Sequence, residues 1–170
     1  LLLACAFAIS HENTQKFPAR AGDLALFESS QSKNRAETGL VLRVIDGDSI
    51  WVQIGDRIEE VRYIGIDAPE IIAPREQFQC LGEEAERLNT SLVLGKTVTL
   101  TKEFSEQDRI GRLLRHVSID GQMIQKIMLE QGLAKVMTIE PDMSYQPAFS
   151  KIESSAQQRH AGIWNQHCSH

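Results

Sequence analysis

Three β-branched runs follow one another between Leu40 and Ile64 with so few residues between them that only tight reversals can connect them. Leu40-Val-Leu-Arg-Val-Ile45, Ser49-Ile-Trp-Val-Gln-Ile54 and Ile58-Glu-Glu-Val-Arg-Tyr-Ile64 partly alternate apolar with polar residues, the period of a half-buried strand. Asp46-Gly-Asp48 separates the first pair and Gly55-Asp56 the second, and both are turn chemistry that favours hairpins. This segment therefore predicts a three-stranded antiparallel meander.

The period then changes. Residues 67–81 contain Pro69, Pro74 and several charges and predict a long loop, a kind of segment that often carries function. From Gly82, the residues Ala85, Leu88 and Leu92 fall on one helical face, with Glu83, Glu84 and Glu86 near its start and Gly95 after it, which predicts a helix over 82–94. Two further strands are expected at 96–101 and 113–119, a short helix at 123–131, an extended stretch at 134–138 and a third helix at 146–161. Five strands with a helix inserted after the third, and helices at the end, suit an α+β fold: a five-stranded Greek-key β-barrel of the OB type with three helices. A chain of 170 residues with 42% hydrophobic composition buries one core of this size, not two.

The first nine residues, Leu1-Leu-Leu-Ala-Cys-Ala-Phe-Ala-Ile, have the length of a signal-peptide h-region and are too short to span a bilayer. They predict a partial signal peptide, or a lipoprotein leader in which Cys5 is lipidated and the protein reaches a membrane; cleavage after Ala6 or Ala8 is the equal alternative. Residues 10–39 read as a disordered N-terminal arm, and 40–168 as the folded domain. Export would leave Cys80 and Cys168 in an oxidising compartment, which favours a disulfide between them over two free thiols. His167 and His170 flank Cys168, but no further ligand nearby completes a zinc site.

A net charge of −5 argues against non-specific binding to nucleic acid, which rests on clustered Lys and Arg. Part of that acidity, however, lies in two clusters, Asp46-Gly-Asp48 and Asp67-Ala-Pro-Glu70. Carboxylates at strand ends suit a hard cation, and carboxylates that hold a cation do not act as bare negative charge toward a substrate. Taken alone, each cluster reads more readily as an ordinary turn than as a site. Arg62 inside an apolar strand, and Arg112 in a polar loop, read alone as surface residues. The set is more coherent than its parts: a phosphodiester transition state needs positive charge on its oxygens, and the arginine fork supplies it beside a cation and a carboxylate.

Val44-Ile-Asp-Gly-Asp-Ser-Ile50, Val61-Arg-Tyr-Ile-Gly-Ile-Asp-Ala-Pro-Glu70, Gly82-Glu-Glu-Ala85, Asp108-Arg-Ile-Gly-Arg112 and Gln131-Gly-Leu-Ala134 resemble the signature segments of the staphylococcal nuclease family, in that family's order, from about Leu40 through Trp164. The resemblance implies an OB-type barrel and a Ca²⁺-dependent nuclease acting on DNA or RNA as a monomer. It further implies that Asp48 and Asp67 ligate Ca²⁺ by carboxylate and Ala68 by its carbonyl. Arg62 and Arg112 would grip the scissile phosphate, and Glu70 would hold or deprotonate the attacking water. An ordinary Glu, with a pKa of about 4.3, is a feeble base at neutral pH, so orientation and the metal carry more of that step than proton affinity.

The chain departs from the family pattern in places. Ala68 and Ser49 replace threonines, and Ile110, Met137 and Ile139 stand where aromatic residues pack around a nucleotide. Weak nucleotide affinity is expected with the phosphate-cleaving set whole. Two rivals are a non-catalytic OB module that binds nucleic acid or protein and an extracellular domain with structural calcium. The first favours a basic groove with stacking aromatics, and the second has no use for Arg62 and Arg112.

Overall fold

β1 (Ala36–Val44) begins four residues before the apolar run at Leu40, inside the segment read as a disordered arm. Residues 36 to 40 are ordered by pairing, from Ala36 opposite Thr101 to Leu40 opposite Thr97 on β5, which polar residues accept as readily as apolar ones. The structure, a computed structural model, describes residues 36–70 and 80–168. The leader, the rest of the arm, residues 71–79 of the long loop and His170 lie outside the described residues.

β2 (Ser49–Ile54) and β3 (Arg57–Tyr63) complete the meander through antiparallel pairs. A short β4 (Ile66–Asp67) follows, and after the first helix come β5 (Thr97–Thr101) and β6 (Leu113–Ile119). β5 pairs with β1 and with β6, while β6 runs parallel to β3 from Val61 opposite Leu113 to Tyr63 opposite Arg115. The ring β1–β2–β3–β6–β5 is therefore closed, as the OB-type reading expected. Val41, Ile50, Val52, Val61, Val98, Leu100 and Val117 fill it. The register shifts between Val41 and Arg43. One extra residue there lets both Val41 and Val44 face inward and turns Leu42 outward.

α1 (Gly82–Val93) buries Ala85, Asn89 and Val93 at four-residue spacing and has Glu83 and Glu84 in its first turn, where acidic side chains complement the helix dipole. β7 (Gln122–Met123) leads into α2 (Ile124–Glu130), and β8 (Lys135–Val136) pairs antiparallel with β4. α3 (Gln146–Gln158) stops three residues before the expected end. His160 takes a φ of 52°, which leaves the helical region, and Gly162–Trp164 forms a 3-10 turn instead. Cys80 and Cys168 form the expected disulfide, with Cα atoms 5.5 Å apart across 88 residues. It ties the approach to α1 to the end of the described chain.

Candidate active site

The Asp46-Gly-Asp48 turn seats against both the end of β4 and the first turns of α1. A Cβ on Gly47 would lie 2.5 Å from that of Ala68 and 2.8 Å from that of Ala85, distances no side chain tolerates, so glycine is what permits the approach. The turn is closed by Ile45 N–H donating to the Ser49 carbonyl at 2.9 Å and Asp48 N–H to Asp46 Oδ1 at 3.0 Å. From α1, Asn89 donates to the Asp46 carbonyl at 2.8 Å and accepts from the Tyr63 hydroxyl at 2.9 Å. Helix and barrel thus hold one hairpin between them.

Asp48 is 1% exposed. Its Oδ2 accepts the Ala68 N–H at 2.6 Å, its Oδ1 accepts the Ser49 hydroxyl at 3.2 Å, and Arg62 pairs with the same Oδ1. The other Nη of Arg62 donates to Asp67 Oδ1 at 2.8 Å. One guanidinium, 13% exposed in its side chain, is therefore shared by a buried carboxylate and a carboxylate that is 54% exposed. Two carboxylates share a single arginine here, and the buried one, Asp48, is tolerated because it is paired and hydrogen-bonded. Asp46 shows the same stress. Burial pushes its carboxyl above the usual aspartate range, against the opposing pull of Arg62, Ser49 and Arg112.

Arg112 comes from the loop between β5 and β6. Asp108 organises that loop: Oδ1 accepts the N–H groups of Ile110 and Arg112 at 3.0 Å each, and Oδ2 accepts Arg112 Nε at 2.6 Å. Burial alone would raise the Asp108 carboxyl, but the Arg112 side chain and these two amides hold it below its ordinary value. The arginine is aimed by its own loop. Glu70 is exposed and follows the buried Pro69. Its carbonyl lies under the start of α1, 2.9 Å from where a Cβ on Gly82 would stand.

The structure thus brings Asp48, Arg62, Asp67 and Ala68 into direct contact, while Arg112 is held by Asp108 in its own loop. Of the three residues at aromatic positions, Met137 and Ile139 line a small cavity with Arg62, Leu114 and Asp142, while Ile110 is 78% exposed. Sequence reasoning gave no role to Asp108 or Asn89. The first was findable, because Asp two residues before Ile110 is the spacing at which an Asp side chain caps its own turn. The Asn89 contact spans 43 residues and has no local signal.

The donor set suits a hard cation. Two carboxylates already converge on one positive group, and every candidate ligand is an oxygen. Among the described residues, no three His, Cys, Asp or Glu side chains gather closely enough to hold a metal. A cation here would complete its shell with carbonyl and water oxygens, as Ca²⁺ does and a structural zinc does not.

A profile of the family described as Staphylococcal nuclease homologue matches residues 60–166. The chain is 37% identical to the SPbeta prophage-derived endonuclease YokF of Bacillus subtilis, over 72% of this chain and 42% of that protein. It is 32% identical to the thermonuclease of Staphylococcus hyicus, over 82% of this chain and 83% of that protein. Endonuclease YncB of Bacillus subtilis is 36% identical, over 72% of this chain and 59% of its own length. The chain therefore spans less than two thirds of the two Bacillus relatives and most of the staphylococcal one.

Proposed function

The chain belongs to the staphylococcal nuclease family, and from that premise we propose that it is a Ca²⁺-dependent nuclease hydrolysing phosphodiester bonds of DNA, RNA or both. The observation that carries the reading is the Asp48–Arg62–Asp67 arrangement, in which two metal-type carboxylates, from the β1–β2 turn and the end of β4, meet a phosphate-type arginine of β3. Asp48 and Asp67, with the Ala68 carbonyl, would hold Ca²⁺, which supplies charge stabilisation at the phosphate and a more acidic water.

The protein's own residues do the rest. Arg62 exchanges a carboxylate partner for a phosphate oxygen, and its planar fork neutralises charge that grows in the transition state. Arg112, aimed by Asp108, presents a second fork to the same phosphate. Glu70 orients the attacking water and accepts its proton. Ala68 N–H and the Ser49 hydroxyl hold Asp48 in place. The water oxygen bonds to phosphorus as the P–O bond to the leaving sugar oxygen breaks, and that oxygen takes a proton from solvent, so the products are a phosphomonoester end and a hydroxyl end. The disulfide agrees with export to an oxidising compartment, and we propose a monomer.

The test is release of acid-soluble nucleotides from DNA and RNA with Ca²⁺, and its loss on adding EGTA. Binding without release would turn the assignment to a non-catalytic OB module, and release that survives EGTA would remove calcium from it.

A further inference from the structure

A second recess lies beyond the Met137–Asp142 segment. Its volume is about 530 Å³, and its walls come from β5, β6, β7, α2 and the start of α3. Tyr145 forms one side, with Lys126 Nζ 5.9 Å above its ring. The ring is braced from behind: it stacks on Phe149 at 5.9 Å and 21° and meets His116 edge-on at 4.6 Å. His116 is in turn held by Glu103 at 2.9 Å. The ring is 36% exposed, and Lys126 is exposed on α2. Thr101, Ser118 and Gln122 add hydroxyl and amide groups around the recess.

A braced aromatic ring, an exposed lysine over it that can swing aside to a phosphate, and neutral hydrogen-bonding groups make the combination that holds a nucleotide of a single strand: stacking for any base and charge for its phosphate. Tyr145 and His116 line both this recess and a second small pocket, and that pocket shares Met137 and Asp142 with the small cavity beside Arg62. We propose that the Lys126–Tyr145 recess is an auxiliary subsite that binds a nucleotide flanking the scissile bond in an oligonucleotide strand. It restores, away from the scissile phosphate, the stacking that Met137 and Ile139 do not provide near it. Glu130, which also lines the recess, opposes the phosphate and limits the affinity. The proposal deepens the nuclease reading and rests on it only for the position of the cut.

The test uses the full chain with a fluorescein-labelled single-stranded ten-nucleotide DNA. Anisotropy is read in EDTA at several salt concentrations, and hydrolysis of the same strand and of a dinucleotide is read with Ca²⁺. Lys126→Glu should weaken binding of the ten-mer about tenfold and lower the slope of log K against log salt by about 0.7, as loss of one single-strand phosphate contact does. Its hydrolysis of the dinucleotide should match wild type. Tyr145→Leu should cost about tenfold and Tyr145→Phe nothing, since only the first loses the stacking ring, while Glu130→Gln should tighten binding. Unchanged ten-mer binding in Lys126→Glu and Tyr145→Leu, or equal losses on both substrates, overturns the subsite. If the variants weaken ten-mer binding but wild type cleaves neither substrate, the subsite stands and the nuclease reading falls.

Discussion

Arg112→Lys separates a catalytic arginine from a structural one because the two roles differ in magnitude. Among the described residues Arg112 pairs with Asp108, Nε to Oδ2 at 2.6 Å, with side chains 27% and 19% exposed. A partly solvated pair of this kind contributes at most about 1 kcal/mol to stability. The backbone bond from Arg112 to Asp108 survives the substitution. Melting without substrate should therefore fall by no more than about 4 °C. The loss in the transition state is larger. Lysine keeps the charge but cannot present a planar fork, and removal of one well-placed electrostatic donor costs a factor on the order of 10² to 10⁴, or about 3 to 5 kcal/mol. Turnover on DNA at saturating Ca²⁺, beside a circular-dichroism melt of the same preparation, reads both. Near-wild-type turnover in a folded Arg112→Lys protein would remove the residue from the mechanism, and a melt lowered by 10 °C or so would show that Asp108 holds it for the fold.

Asp48→Asn should raise the Ca²⁺ needed for half-maximal activity and recover part of its loss at higher Ca²⁺, whereas no metal concentration rescues the arginine variant; calcium titrations of activity compare the two. Removing the disulfide by Cys80→Ser should destabilise by up to about 4.5 kcal/mol, the chain-entropy value for a loop of 88 residues; urea unfolding measures it, and a non-reduced peptide map of the parent should contain the joined pair. Mononucleotide inhibitors should bind weakly and lose affinity with salt, because Ile110, Met137 and Ile139 offer no ring, and tight salt-insensitive binding by calorimetry would refute this. Burial holds His116 below its ordinary value of 6.5, partly offset by Glu103. Its contribution to stability is thus complete above pH 6.5 and is lost as pH falls toward the lowered value. Hydrogen bonds hold Glu103, Asp108 and Asp142 below their ordinary values against burial, so their contributions go at lower pH, while the raised Asp46 acts in the opposite direction. His116→Gln should flatten the first part of that decline in urea melts between pH 7.5 and 5.5.

The strand runs, their hairpin turns and the helix periods are local properties, written in alternation, β-branching and the placement of Gly and Pro. They were legible residue by residue, and with them the five-stranded barrel and its three helices. The candidate chemical groups were legible as a set through the family resemblance, since Asp48 and Asp67 alone read as turn residues and Arg62, inside its strand, as a surface residue. What pairing decides was not legible. Ala36–Gly39 carry no strand pattern and are ordered only because β5 lies alongside. The stop of α3 at Gln158 depends on a backbone reversal at His160 that no local signal announces.

The same division runs through the site. Sequence alone determined which residue types could hold a cation and a phosphate, because charge and donor geometry belong to the side chain wherever it lies. Only the tertiary structure decided that Asp48 is buried, that Arg62 is shared between Asp48 and Asp67, and that Asn89 of α1 fixes the Asp46 turn. It likewise set Tyr145 and Lys126 on one recess, although 19 positions of chain separate them. Contact between distant residues follows from barrel closure and helix packing, which depend on the whole chain at once.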